Sequence, residues 1–107
     1  MLSLREEIGG LIIEMFIEIP VYKFDEDEEV FDLSKVESAA YNTEHIISIR
    51  VLKHPEYEDV WILAMETTSK EDSHVGLAFP NEEEPKKIKE QIIAATSYVR
   101  NFREAVL

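Results

Sequence analysis

Six carboxylates occupy eight positions within YKFDEDEEVFDL, residues 22–33. Asp25, Glu26, Asp27, Glu28, Glu29 and Asp32 stand there among the rings of Tyr22, Phe24 and Phe31. Oxygen-rich segments of this kind serve three chemistries: they coordinate a hard cation, imitate a row of phosphates, or attract arginine and lysine. A calcium loop of the helix–loop–helix type needs a glycine at its sixth position and a carboxylate at its twelfth. Counted from Asp25, those positions hold Val30 and Val36, so the motif fails twice. Rings beside carboxylates suit a cationic side chain, since the charge meets oxygen while the aliphatic stem meets a ring face. Two readings of these nine residues stand side by side: a solvated turn between two strands, or the contact surface for a protein partner with a basic surface.

No other group of residues forms a reaction centre. His45, His54 and His74 lack the pairwise spacing of histidine metal ligands. His54 is followed by Glu56, Glu58 and Asp59, but HPEYED reads most simply as a solvated turn between strands. There is no cysteine, hence no thiolate site and no disulfide, which fits a reducing compartment. A GxSxG elbow, a phosphate-binding glycine loop and an HExxH pair are all missing. Neither enzyme activity nor a metal or other cofactor is expected.

Charge narrows the partner class. The 107 residues carry 23 acids and 11 bases, a net charge of −12. All of that excess lies before residue 82, and the remainder is balanced. A field of this sign repels nucleic acid and anionic membranes, so direct binding to either is not expected. The alternative is a protein of phage or viral type that mimics nucleic acid, occupying the basic groove of a host or defence enzyme. Mimicry requires carboxylates spaced like phosphates. Asp25, Asp27 and Glu29 have that spacing only in an extended segment, with Glu7, Glu14 and Glu18 continuing the stripe along a helix.

The elements that position these residues follow from periodicity. SLREEIGGLIIEMFIEIP reads as an N-terminal helix: Ser3 and Glu6 form a capping box, Leu4, Ile8, Ile12, Met15, Phe16 and Ile19 share one arc, and Pro20 ends it. The pair Gly9–Gly10 weakens that helix. A strand from residue 11 onward competes, because Ile13, Met15, Ile17 and Ile19 also alternate. The apolar run is interrupted by Glu14 and Glu18, is too short to span a bilayer, and matches no secretory leader; a cytoplasmic protein is expected. VYKF and VFDL flank the acidic turn as a hairpin, and SKVESAAYNTE has a short helical or irregular look. HIISIRVLK, DVWILAMETT and HVGLAFP read as strands. From Asn81 a long amphipathic helix follows, capped by Asn81 with Glu84 and striped by Ile88, Ile92, Ala95, Val99, Phe102 and Val106. In the central strand both faces are apolar, Val60, Ile62 and Ala64 on one and Trp61, Leu63 and Met65 on the other. Something must cover the second face. The candidates are the N-terminal helix, which would leave a monomer, a target, or a second copy of the chain in a homodimer that shares Trp61, Leu63 and Met65, the arrangement favoured here.

The fold class expected is a single α+β domain over residues 1–107: an antiparallel sheet of four to five strands with an N-terminal helix and a long C-terminal amphipathic helix. In layout, the apolar N-terminus, the acidic hairpin FDEDEEVFDL, the later strands and the last helix resemble the small acidic chaperones of type III secretion. That resemblance implies a homodimer holding an extended segment of a partner protein. Residues 58–106, from DVWILAMETTSKEDSHVGLAFPNEEEPKKIKEQI onward, are similar to the closing strands and capping helix of pleckstrin-homology-like domains, which implies protein binding here because no basic cluster suits a phosphoinositide. Both point to a non-enzymatic acidic protein-binding module, an adaptor, chaperone or inhibitor.

Overall fold

The computed structural model describes residues 2–5 and 14–106 of the chain, with side chains placed over residues 16–96. The described residues form six strands and one α-helix, an α+β arrangement. The strands are β1 (Leu2–Arg5), β2 (Glu14–Asp25), β3 (Val30–Asn42), β4 (Ile46–Lys53), β5 (Trp61–Thr67) and β6 (His74–Phe79), followed by α1 (Glu83–Val106). They build two three-stranded antiparallel sheets, ordered β1-β2-β3 and β4-β5-β6, in place of the single sheet the sequence suggested. No described helix is long and apolar enough to cross a membrane.

The N-terminal helix expected over residues 3–19 is replaced by strand wherever that segment is described. Ser3 lies in β1 and residues 14–19 open β2. Gly9 and Gly10 lie outside the described residues. Period-two alternation prevails because β2 finds partners on both flanks: Leu2–Arg5 pair with residues 14–17, and β3 pairs from the other side. Ile17 and Ile19 then point inward, fully buried, with Glu18 exposed between them. Pro20, read as a helix stop, sits inside β2 opposite Ser38. At Pro20 one flank of β2 is already past β1, and a proline is tolerated where no ladder partner needs its N–H.

The second correction concerns residues 34–42, which are strand and not a short helix. They extend the acidic hairpin into a long ribbon, with Ile17 opposite Tyr41 and Ile19 opposite Ala39. The ribbon is irregular at one point. Val21 pairs with Glu37 and Lys23 with Asp32, so Tyr22 alone faces the four residues from Leu33 to Val36. This extrusion leaves Leu33 and Val36 exposed. At this irregularity Tyr22 packs against the core cluster that Ile17 and Ile19 belong to.

One core joins the two sheets and the helix. Ile17 and Ile19 of β2, Leu63 and Met65 of β5, Phe79 of β6, and Ile88 and Ile92 of α1 form a single buried cluster. Burial of side chains of this size stabilises by about 1.5–3 kcal/mol each relative to exposure. The helix begins as its sequence dictates: the Asn81 Oδ1 accepts the Glu84 N–H at 2.9 Å, and Ile88, Ile92 and Ala95 are buried.

Candidate acidic–aromatic cleft

The acidic stretch forms the tip of the β2–β3 ribbon, with Asp25 paired to Val30 and a turn over residues 26–29. Two of the six carboxylates hold the chain itself. The Asp25 Oδ1 accepts the N–H groups of Asp27 (2.9 Å) and Glu28 (3.2 Å), closing the turn. The Asp32 Oδ1 accepts both the hydroxyl and the N–H of Ser34 at the start of the extrusion. Those bonds, the hydroxyl first, hold the Asp32 carboxyl below its usual range. The carboxylates of Glu26, Asp27, Glu28 and Glu29 are exposed and make no hydrogen bond or ion pair among the described residues. Glu29 has a φ of 57°, a left-handed conformation that a glutamate adopts at a cost.

A row of rings connects this tip to the core. Phe79 meets Tyr22 edge-on with ring centroids 5.7 Å apart, and Tyr22 meets Phe31 at 6.2 Å. Phe31 lies 5.0 Å from Phe24, and Phe24 lies 4.8 Å from Tyr57. The two edge-to-face contacts of Tyr22 add about 0.5–1.5 kcal/mol each to the area they bury. Tyr22 also donates its hydroxyl to the Glu84 carboxylate, 2.6 Å from one oxygen and 3.0 Å from the other. That bond, with burial and the Glu84 charge behind it, pushes the Tyr22 hydroxyl up to about 12. The ribbon is thereby fastened to the first turn of α1.

Tyr57 belongs to the β4–β5 turn, and its contact with Phe24 brings a second acidic loop against the first. Between them lies a cleft of about 300 Å³. Phe24, Glu29 and Phe31 line one wall, and Glu56, Tyr57, Glu58, Asp59 and Val60 line the other. The Tyr57 hydroxyl is pushed up by burial and then by Glu26, Glu56, Glu29 and Asp27, carboxylates of both loops. His54 holds the second loop together: its Nδ1 accepts the N–H groups of Glu56 (3.0 Å) and Tyr57 (3.3 Å). Among the described residues no group of three or more His, Asp or Glu is placed to hold a metal ion. An aromatic floor under unpaired carboxylates can instead receive a cationic side chain.

The structure therefore gathers Phe24, Glu29 and Phe31 at one cleft, places Glu26 and Asp27 close enough to act on Tyr57, and assigns Asp25 and Asp32 to backbone support. Tyr22 lies one ring further in. The cleft also takes in Glu56, Glu58 and Asp59, which the sequence suggested as a solvated turn, and Tyr57, which it did not single out. Their signal was an aromatic set among acids in HPEYED, the same composition as the first loop. Leu63 and Met65 are 0% and 2% exposed inside the chain's own core, and Trp61 packs half-buried against it. Ile17 and Ile19 of β2 and Ile88 and Ile92 of α1 share that buried cluster with Leu63 and Met65.

A larger concavity of about 450 Å³ lies between Tyr41, His45, Thr68 and Asp72. Several of its polar groups are tied to one another, the His45 Nδ1 to the Thr68 Oγ1 at 2.9 Å and the Thr67 hydroxyl to the Asp72 carbonyl at 2.7 Å. No protein-family model matches the chain, and no curated protein or solved structure is significantly similar to it.

Proposed function

We propose that this chain is a non-enzymatic protein-binding module, an adaptor, chaperone or inhibitor, whose acidic–aromatic cleft takes an arginine or lysine side chain from a basic partner. The observation that carries this reading is the convergence of two acidic loops on Phe24 and Tyr57. Like charges brought together in this way destabilise a fold, and a cation between them would relieve the repulsion. The test is titration with a short arginine–glycine peptide at low and at physiological salt. Reversing Glu26, Asp27, Glu28 and Glu56 to lysine should abolish its binding, and Asp25 is spared because its carboxylate closes the turn. Binding that survives the reversal at low salt would place the site elsewhere.

The nucleic-acid mimic is the weaker reading. Phosphate-like spacing needs an extended segment, whereas residues 26–29 form a tight turn that bunches their carboxylates. Glu14 and Glu18 lie on β2 and not along a helix. Competition decides between the two: a mimic displaces DNA from a basic groove steeply less well as salt rises.

A further inference from the structure

Two isoleucines stand outside the core on neighbouring elements. Ile47 of β4 is 65% exposed and Ile93 of α1 is 50% exposed. Both line one groove of about 200 Å³, floored by Ile46, Ile49, Ile92 and Thr96. Neither belongs to the core cluster. Ile47 falls at the register irregularity between Ile46 and Ser48, and Ile93 lies one residue off the buried stripe of α1. Along this groove runs a free sheet edge, since among the described residues β4 pairs only with β5. An edge strand presents unpaired N–H and C=O groups to any further strand that reaches it.

Charge singles out what fits there. The two longest stretches of the chain without a carboxylate are residues 45–55 and 91–103, and these supply the two walls of the groove. The first carries Arg50 and Lys53. Arg50 pairs with Ala64, on the sheet face opposite to the buried Leu63 and Met65. It is exposed and has no ion-pair partner among the described residues. A strand added at β4 would thus meet apolar surface on its helix side and, on its other side, Arg50 of the adjoining strand, with Glu66 on the same face one strand further in on β5.

We propose that this groove binds an extended segment of a partner protein as a further strand on β4. Its alternate residues are apolar, against Ile47 and Ile93, and those between carry carboxylates, toward Arg50. Main-chain pairing supplies affinity and the alternation supplies selectivity. The proposal is independent of the acidic cleft, which takes the opposite charge.

A peptide of alternating valine and glutamate is the probe, with a valine–lysine peptide of equal length as control. Amide shifts and amide hydrogen exchange of the full chain are followed during titration. Slowed exchange along β4 is expected with the glutamate peptide. Affinity should be at least about tenfold weaker for the lysine peptide and for the variants Ile47→Thr and Ile93→Gln. These replacements keep strand and helix propensity and alter exposed side chains, so thermal melting should be unchanged. The proposal is overturned if β4 exchange does not respond to millimolar peptide or if both variants bind like the parent. It is equally overturned if light scattering shows a dimer that Ile47→Thr dissociates, because a second copy then fills the groove.

Discussion

Glu29 combines a backbone cost with a place in the cleft wall. Glycine adopts its φ of 57° without steric penalty, so a stable turn alone would favour glycine at this position. A carboxylate held in a strained conformation at the cleft wall fits the proposed binding of a cationic side chain there. The variant Glu29→Gly should raise stability by about 0.5–1 kcal/mol in urea denaturation while weakening the arginine–glycine peptide. A loss of stability would mean that the glutamate supports the turn and that the strain argument is mistaken. Asp25 is its counterpart: equally acidic in the sequence, it spends its oxygen on two backbone N–H groups. Proximity in sequence does not distinguish these two roles, because they depend on which backbone donors the turn presents.

At the scale of elements, the tie between ribbon and helix is the Tyr22–Glu84 bond, and it makes the fold sensitive to alkali. The folded chain holds the Tyr22 proton up to about 12, against 10.0 for an unperturbed tyrosine. Its stabilisation is therefore whole below pH 10 and is lost as pH rises from 10 through 12. Tyr22→Phe should cost about 1 kcal/mol at neutral pH and flatten the alkaline decline of the urea midpoint. An unchanged decline would assign it to other groups. The legibility of each element follows from how local its signals are. Helix α1 was readable because its cap, its first-turn acids and its apolar stripe all lie within one segment. β5 and β6 were readable from β-branched and aromatic content. Residues 14–19 satisfy both helical and strand periods, and what decides between them is pairing with Tyr41 and Ala39, which no local window contains. SKVESAAYN, rich in small and polar residues, becomes strand for the same reason. The acidic turn was visible in the sequence, but its meeting with HPEYED was not, because that contact is made only when the two sheets pack.

For the whole molecule, one core under two sheets determines which apolar face is available to other chains. Leu63 and Met65 are buried in the chain's own core. Leu63→Ala should cost about 2–5 kcal/mol of stability and leave the mass measured by light scattering at micromolar concentration unchanged. A change in mass without a loss of stability would restore that row to a shared surface. The strong acidity of the chain is also unevenly used: it gathers at the ribbon tip and the β4–β5 turn, while β4 and α1 keep a seam free of it. The extrusion from Leu33 to Val36 bears on how this architecture can grow. Pairing keeps its register on both sides, Val21 with Glu37 and Lys23 with Asp32. The four residues between them are exposed and contribute nothing to the core cluster. Extra residues inserted there would enlarge a loop whose ends are already joined, at an entropic cost that rises only slowly with length. The ribbon therefore contains an insertion point where a whole recognition segment, natural or engineered, could be grafted a few residues from the cleft without disturbing the strands that carry it.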